Sequence, residues 1–413
     1  MLFITRARLK PVSKTGSKPI SIGKNKALFF CSFVYCLATN ILSFSLIYLL
    51  TDRFSFTSGQ VGSSIALGSG CYFMGCFLYQ QFGSRGRPRR IIPAAVTGCL
   101  VSALVLNFTK NGALAVLSWS TLQMSNGFYW PPLQAWFTQG LNDQELNKDI
   151  SWFNRCWMSG ALLGPFLGGF LYHYNPGWIF IAAFICLGIV LCALISLSVY
   201  TGSSGAESAG LSSPANTEAS GNPKTPPLLR KTIVLFKIRG WVGAFCVNFF
   251  YGILSSVIPL HLRNNLGFSE KTASLLLLFR GAAAIIAFTW FARYTFWHFN
   301  RRWFFILQGI LILCALFFII PGTYLLIYLV IAFVYGLFYA GCYNNSIFHS
   351  GADKRNTGKN MALHEMFLSI GSATGALGGG FIFQYFGITV ALLFLALVQA
   401  LGLLALVFID RQA

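Results

Sequence analysis

Residues 151–175 read SWFNRCWMSGALLGPFLGGFLYHYN, apolar enough for a membrane yet centred on glycine and proline. Gly160, Gly164 and Gly168 recur every four residues, so on an α-helix they share one slowly drifting stripe. Such a bare stripe lets a neighbouring helix come close. Pro165, between them, is expected to kink the helix or loosen its hydrogen-bond ladder. The same text returns at residues 371–385, GSATGALGGGFIFQY. A shift of 211 pairs Gly160 with Gly371, Gly164 with Gly375 and Gly168 with Gly379. It also pairs Gly169 with Gly380, Phe170 with Phe381 and Tyr174 with Tyr385, giving six identities in fifteen positions. The chain carries an internal duplication.

Composition sets the solvent. Hydrophobic residues make up 55% of the 413 and charged residues only 10%, where a soluble chain carries about a quarter. That balance predicts an all-α membrane protein crossing many times. Twelve spans can be drawn, near 27–50, 60–82, 91–109, 113–138, 151–172 and 178–200, then 241–261, 272–294, 303–320, 324–349, 361–384 and 388–409. Each approaches the roughly 20 residues needed to cross the hydrocarbon. Residues 27–200 and 241–409 thus form two pseudo-symmetric six-helix bundles, between a basic tail (1–26) and a short tail (410–413). The linker, 201–240, opens with a Ser/Gly/Pro/Thr-rich stretch to 229 that reads as flexible.

The formal charge of +20 would suggest nucleic acid in a soluble protein. Here the cations cluster between apolar spans, which points to topology and lipid contact and excludes nucleic acid as a partner. With the N-terminus in the cytoplasm, the inner regions hold twenty-four Lys or Arg and the outer loops four: Arg53, Lys110, Arg263 and Lys271. This bias places both termini inside, with the plasma (inner) membrane as the expected location. The first apolar run is too long for a signal-peptide core, although the basic tail also fits a cleaved organelle-targeting segment. The eleven cysteines lie inside apolar segments without metal-ligand spacing, so neither a metal nor a cofactor is expected. No phosphate-cradling loop with its Lys-Ser/Thr is present, which argues against an ATP-driven pump, and no clustered acids or histidines suggest an enzyme.

Two further matches link the halves. Gly127 in NGFYW corresponds to Gly336 in YGLFY, and the loop FSFTSGQVG (54–62) matches LGFSEKTAS (266–274) in position and character. Over residues 27–409 the chain resembles the major facilitator superfamily of secondary transporters. GALLGPFLGG, Gly160 to Gly169, resembles that superfamily's antiporter motif, although the motif's first glycine would fall at Ser151. QQFGSRGRPRR, residues 80–90, resembles its cytoplasmic signature of an Asp-Arg-x-Gly core followed by basic residues, with Gln80 where the Asp should stand. The resemblance implies two bundles rocking about a central path. Spans 1, 4, 7 and 10 would line it, 2, 5, 8 and 11 would meet between the bundles, and 3, 6, 9 and 12 would face lipid. It also implies a small-molecule substrate, moved by a monomer.

On the lining spans, Asn40, Asn126, Asn248 and Tyr251 sit near mid-span, with Tyr129, Trp130 and Tyr339 nearby. Each could serve helix packing, since interhelical amide bonds are routine in membrane bundles. As a set they suit a polar, uncharged or weakly charged organic solute, such as a sugar or aromatic metabolite. Arg280 falls eight residues into span 8, roughly 12 Å below the boundary. A cation there needs an anion, carbonyls or water, which makes it a substrate or gate residue unless carbonyls alone hold it. Trp130-Pro131-Pro132 is expected to break span 4.

Arg155, near the start of span 5, joins the coupling and gating set with Glu365, His364 and Arg85. Glu365 is the one acid inside any span. It fits a proton carrier assisted by His364, a latch with Arg85 that reverses the superfamily's usual charge arrangement, or an interfacial carboxylate near Lys359. The glycine motif favours export, while its recurrence in span 11 favours packing in both halves. A non-transporting sensor with a transporter fold is the competing class.

Overall fold

The structure, a computed structural model, describes residues 20–82, 88–138, 143–203, 227–291, 293–294, 296–320, 324–352 and 357–411. Among them are eleven helices and no strand. In chain order these are α1 (Ile20–Phe54), α2 (Ser58–Phe82), α3 (Pro88–Phe108), α4 (Gly112–Thr138), α5 (Asp143–Tyr174) and α6 (Gly177–Ser203). Then come α7 (Pro227–Asn264), α8 (Glu270–Phe291), α9 (Arg301–Phe317), α10 (Leu325–Ala352) and α11 (Thr357–Arg411). Eight are long and apolar enough to cross a membrane by length and composition.

At 55 residues α11 would measure roughly 80 Å if straight, far beyond one bilayer. Gly387 interrupts it with φ 81° and ψ 179°, a conformation that glycine alone adopts without strain. Near the start of α11, Asn360 accepts from Lys237 Nζ at 3.1 Å. Near its end, Asp410 accepts from Arg239 Nη2 at 2.6 Å and pairs with Arg301 at 2.7 Å. Both ends of α11 therefore lie beside the start of α7, so the helix runs out and doubles back at Gly387.

The duplication in sequence is a duplication in packing. α1 lies on α5 as α7 lies on α11, and α2 on α4 as α8 on α10. The two glycine stripes are what bring the first pairs together. A side chain at Gly160, Gly164 or Gly168 would strike Leu37 N at 2.8 Å, Asn40 Cβ at 2.5 Å or Ile41 O at 2.8 Å, all on α1. One at Gly371, Gly375 or Gly379 would strike Asn248 Cβ at 3.2 Å, Phe249 Cα at 3.1 Å or Ile253 Cγ1 at 2.6 Å, all on α7. α5 continues through Pro165.

The outward faces are apolar. Ile181, Ile185 and Ile189 on α6 form an exposed stripe at helical spacing, as do Leu393, Leu397, Leu401, Leu404 and Phe408 beyond Gly387. Gln399, the polar exception in that last stretch, is fully buried. It donates to Cys246 O at 2.8 Å and accepts from Gln308 Nε2 at 2.9 Å, so its amide is tied across two helices.

One expectation needs correcting. Span 4 is not broken at Trp130-Pro131-Pro132: α4 runs on to Thr138, since each proline removes only its own N–H and membrane helices accommodate that locally. α7 begins at Pro227, within the stretch drawn as linker, and its cations tie it to α11: Lys237 binds Asn360, and Arg239 meets Asp410. Residues 204–226, the rest of that linker, lie outside the described residues.

Candidate functional site

The two sets of helices meet along α2–α11 and α5–α8. At the ends of α1 and α7 (the far end), the junction is charged. Arg263 Nη1 and Nη2 donate to both Asp52 carboxylate oxygens at 2.8 and 2.9 Å, and its Nε reaches Glu270 at 2.9 Å. Tyr172 donates to Asp52 at 3.0 Å, and His173 Nδ1 lies 3.2 Å from Glu270. One guanidinium thus joins α1, α7 and α8, with α5 attached at both carboxylates.

Below this network the approach is backbone-close. A side chain at Gly169 would strike Ser274 Cβ at 2.5 Å, and one at Gly62 would strike Gly380 Cα at 3.3 Å. The Gln384 side chain accepts from Gly59 N at 2.9 Å, and Ser369 donates to Ser69 O at 2.9 Å.

Deeper still, the contacts turn aromatic and ionisable. Arg280 on α8 is 4% exposed, its guanidinium 4.6 Å from the ring centre of Tyr251 and 5.1 Å from that of Tyr339. Its Nε has no hydrogen-bond partner among the described residues. A cation at such depth costs at least ~2.5 kcal/mol. Desolvated ring faces return up to about 2 kcal/mol each, which offsets the charge without satisfying the N–H groups at the guanidinium edge. The helices around it are fixed: Tyr335 donates to Val247 O at 2.8 Å, and a side chain at Gly336 would strike Ala283 Cβ at 2.9 Å.

From Tyr339 a ladder of rings continues along α10. Tyr335, Tyr339 and Tyr343 stand four apart, with centroids 6.1 and 6.2 Å apart, because that spacing stacks side chains on one helix face. Tyr343 meets Trp157 of α5 at 6.2 Å and His364 of α11 at 5.0 Å. His364 is buried and shares a 2.7 Å hydrogen bond with Ser346. Glu365 is half-buried and lies within electrostatic reach of Tyr72 of α2, so a carboxyl stands where the two sets of helices meet. Tyr72 and Arg280 hold matching places: their carbonyls are what a side chain at Gly127 or at Gly336 would meet.

The structure therefore brings Tyr251, Arg280, Tyr339, His364 and Glu365 into one strip. The remaining expected residues make other contacts. Asn126 accepts from Tyr35 at 2.7 Å and donates to Gln123 at 2.6 Å. Tyr129 is fully buried, stacked on Tyr35 at 3.5 Å between centroids, and Trp130 stands edge-on to both. Asn40 and Asn248 donate back to Cys36 O and Ala244 O on their own helices. Arg155 is exposed, over the Trp152 ring at 4.5 Å. Arg85 lies outside the described residues, which leaves its pairing with Glu365 without geometry.

Tyr72 and Trp157 escaped the sequence reading, as did Asp52 and Glu270. The i, i+4, i+8 tyrosines of α10 were a usable signal. So was the scarcity of charge: Asp52 and Glu270 are two of only ten acids, placed beside the sparse far-end cations.

A duplicated helical bundle, apolar outside and meeting across a strip of aromatic and ionisable side chains, defines a membrane transporter. A profile of the Major Facilitator Superfamily matches residues 28–354, and the chain belongs to that superfamily. Its fold is similar to that of a bacterial homologue of the human lysosomal transporter Spinster in an inward-facing, occupied conformation. That pair has a TM-score of 0.69 and 13% identity over 96% of this chain and 98% of the other. The inward-facing, unoccupied form gives 0.62 and 14%, covering 96% of each chain. The nucleoside transporter NupG gives 0.66 and 11%, covering 94% of this chain and 99% of the other. No curated protein sequence matches the chain.

Proposed function

We propose that the chain is a proton-coupled secondary transporter that moves a small organic solute by alternating access. Its two six-helix units, 27–200 and 241–409, would cross the plasma membrane twelve times, with both termini in the cytoplasm. The observation that carries this reading is the strip from Arg280 through Tyr339 and Tyr343 to Glu365, whose carboxyl interacts electrostatically with Tyr72 of the opposite half. A solute lying on that strip touches both halves, and a proton on Glu365 alters a contact between them. With the far-end contacts made, this arrangement corresponds to the inward-facing state. Export is the direction that the antiporter-like glycine motif of α5 favours.

The test works without the solute's identity. Proteoliposomes loaded with a small-molecule extract of the source cells are diluted into buffer with and without a pH gradient, and released compounds are identified by mass spectrometry. Release of discrete compounds above protein-free vesicles, increased by the gradient, is expected. Release indistinguishable from empty vesicles would overturn the transporter reading.

A further inference from the structure

We propose that the solute is an aromatic monocarboxylate, its carboxylate held by the edge of Arg280 and its ring laid along Tyr339 and Tyr343. This deepens the transporter reading and rests on it.

The orientation of the arginine carries the inference. Two tyrosine rings lie 4.6 and 5.1 Å from its guanidinium carbon, each presenting its face to the cation. Guanidinium donors lie in the plane of the group, at its edge. At that edge Nε has no hydrogen-bond partner, and no carboxylate pairs with the side chain, among the described residues. A residue serving only to tie helices together would spend its donors on their carbonyls. Here helix contact is supplied separately, by Tyr335 on Val247 O and by the close approach at Gly336. What the edge lacks is a planar fork of two oxygens, the partner to which guanidinium is matched.

Charge and shape narrow the class. The strip offers one unpaired cation at one end and the Glu365 carboxyl at the other, so a single negative charge is balanced and a second would face repulsion. That favours a carboxylate over a phosphate dianion. Beside the arginine stand the Tyr339 and Tyr343 rings, inclined by only 22°, with Trp157 in contact with Tyr343. Such stacked faces favour a flat aromatic body over a sugar.

The experiment measures binding to the purified full chain by thermal stabilisation and calorimetry. The probes are benzoate, 4-hydroxyphenylacetate and indole-3-acetate, each beside its uncharged amide. Stabilisation by at least one acid, with its amide at least tenfold weaker, is expected. Arg280→Gln should bring that acid down to its amide, and Arg280→Lys should fall between, keeping charge without the fork. Equal binding of acid and amide, no binding of any acid, or full acid binding by a folded Arg280→Gln variant would overturn the proposal. The comparison of acid with amide on the wild-type protein holds even if the variants misfold. If extract-loaded vesicles release only compounds without a carboxylate, the anion assignment falls and the transporter reading stands. If they release nothing, the transporter reading itself falls.

Discussion

Replacing Arg263 with glutamine should release the far end of the molecule. The arginine makes two parallel bonds to Asp52 and a third to Glu270, so one substitution unties α1, α7 and α8 together. The Arg263 and Asp52 side chains are 26% and 38% exposed, and Glu270 12%, so solvent screens much of the attraction. Exposed ion pairs contribute about 0.2–1 kcal/mol each, and bidentate geometry favours the upper part of that range. Two pairs then favour the closed far end by about 1–2 kcal/mol, a shift of roughly 5- to 30-fold towards opening once they are gone.

Hydrogen–deuterium exchange on the intact protein reads this directly. Peptides covering 48–57 and 262–272 should exchange faster in Arg263→Gln. Peptides covering 58–62 and 376–386 should follow, because α2 and α11 share the junction without touching Arg263. Salt at 0.5 M (Debye length about 4 Å) should produce much of the same change in the wild type and little more in the variant. Faster exchange confined to 262–272 would mean a frayed helix end, and unchanged exchange everywhere would mean the pairs hold nothing; either result refutes a latch.

Other outcomes are equally specific. Glu365→Gln keeps the size and polarity of the side chain beside Tyr72 but cannot titrate, so gradient-driven accumulation should disappear while solute exchange continues; accumulation at wild-type level would remove Glu365 as the proton carrier. Gly164→Leu or Gly375→Leu places a branched side chain where Asn40 Cβ and Phe249 Cα already stand, and overpacking of about 1–3 kcal/mol should lower the melting temperature or the yield. Wild-type melting in both would refute close packing. Gln399→Leu leaves Cys246 O and the Gln308 amide without their partner, for which interhelical bonds in membranes suggest a cost of about 0.6 kcal/mol and at most ~1.7. A melting temperature unchanged by Gln399→Leu would show that the buried amide pair contributes nothing.

Fold and site were unequally legible, for physical reasons. Close helix approach demands small residues at fixed spacing, so the stripe at Gly160, Gly164 and Gly168 and its copy at Gly371 are written directly in the chain. Arg280 was legible because a lone cation in hydrocarbon is costly enough to require an explanation. The mid-span amides were ambiguous because the same group serves a solute or its own helix. Asn40 and Asn248 donate to carbonyls four residues back, a choice that depends on rotamer and not on composition. The pairings of Glu365 with Tyr72 and of Asp52 with Arg263 join residues about 200 or more positions apart. No local pattern carries contacts of that range.

Helix α8 places the two charged centres on one rigid body. Glu270 begins it at the far-end network, and Arg280 follows ten residues later, roughly 15 Å along the axis. Over this stretch and just beyond it the helix is held against α5 by the approaches at Gly169–Ser274 and Leu162–Gly281, and against α10 at Gly336. Packed helices move as units, because tight contacts of this kind admit discrete arrangements and not gradual deformation. A displacement of α8 that repositions Arg280 must therefore also move Glu270 relative to Arg263 and His173. The coupling has a required sign. A ligand that prefers Arg280 in the closed-far-end position strengthens the network, and cutting the network weakens that ligand by the same factor, because linkage between two sites is reciprocal. If Arg263→Gln opens the far end and leaves the affinity of an Arg280-dependent acid untouched, the two centres are mechanically separate and α8 does not join them.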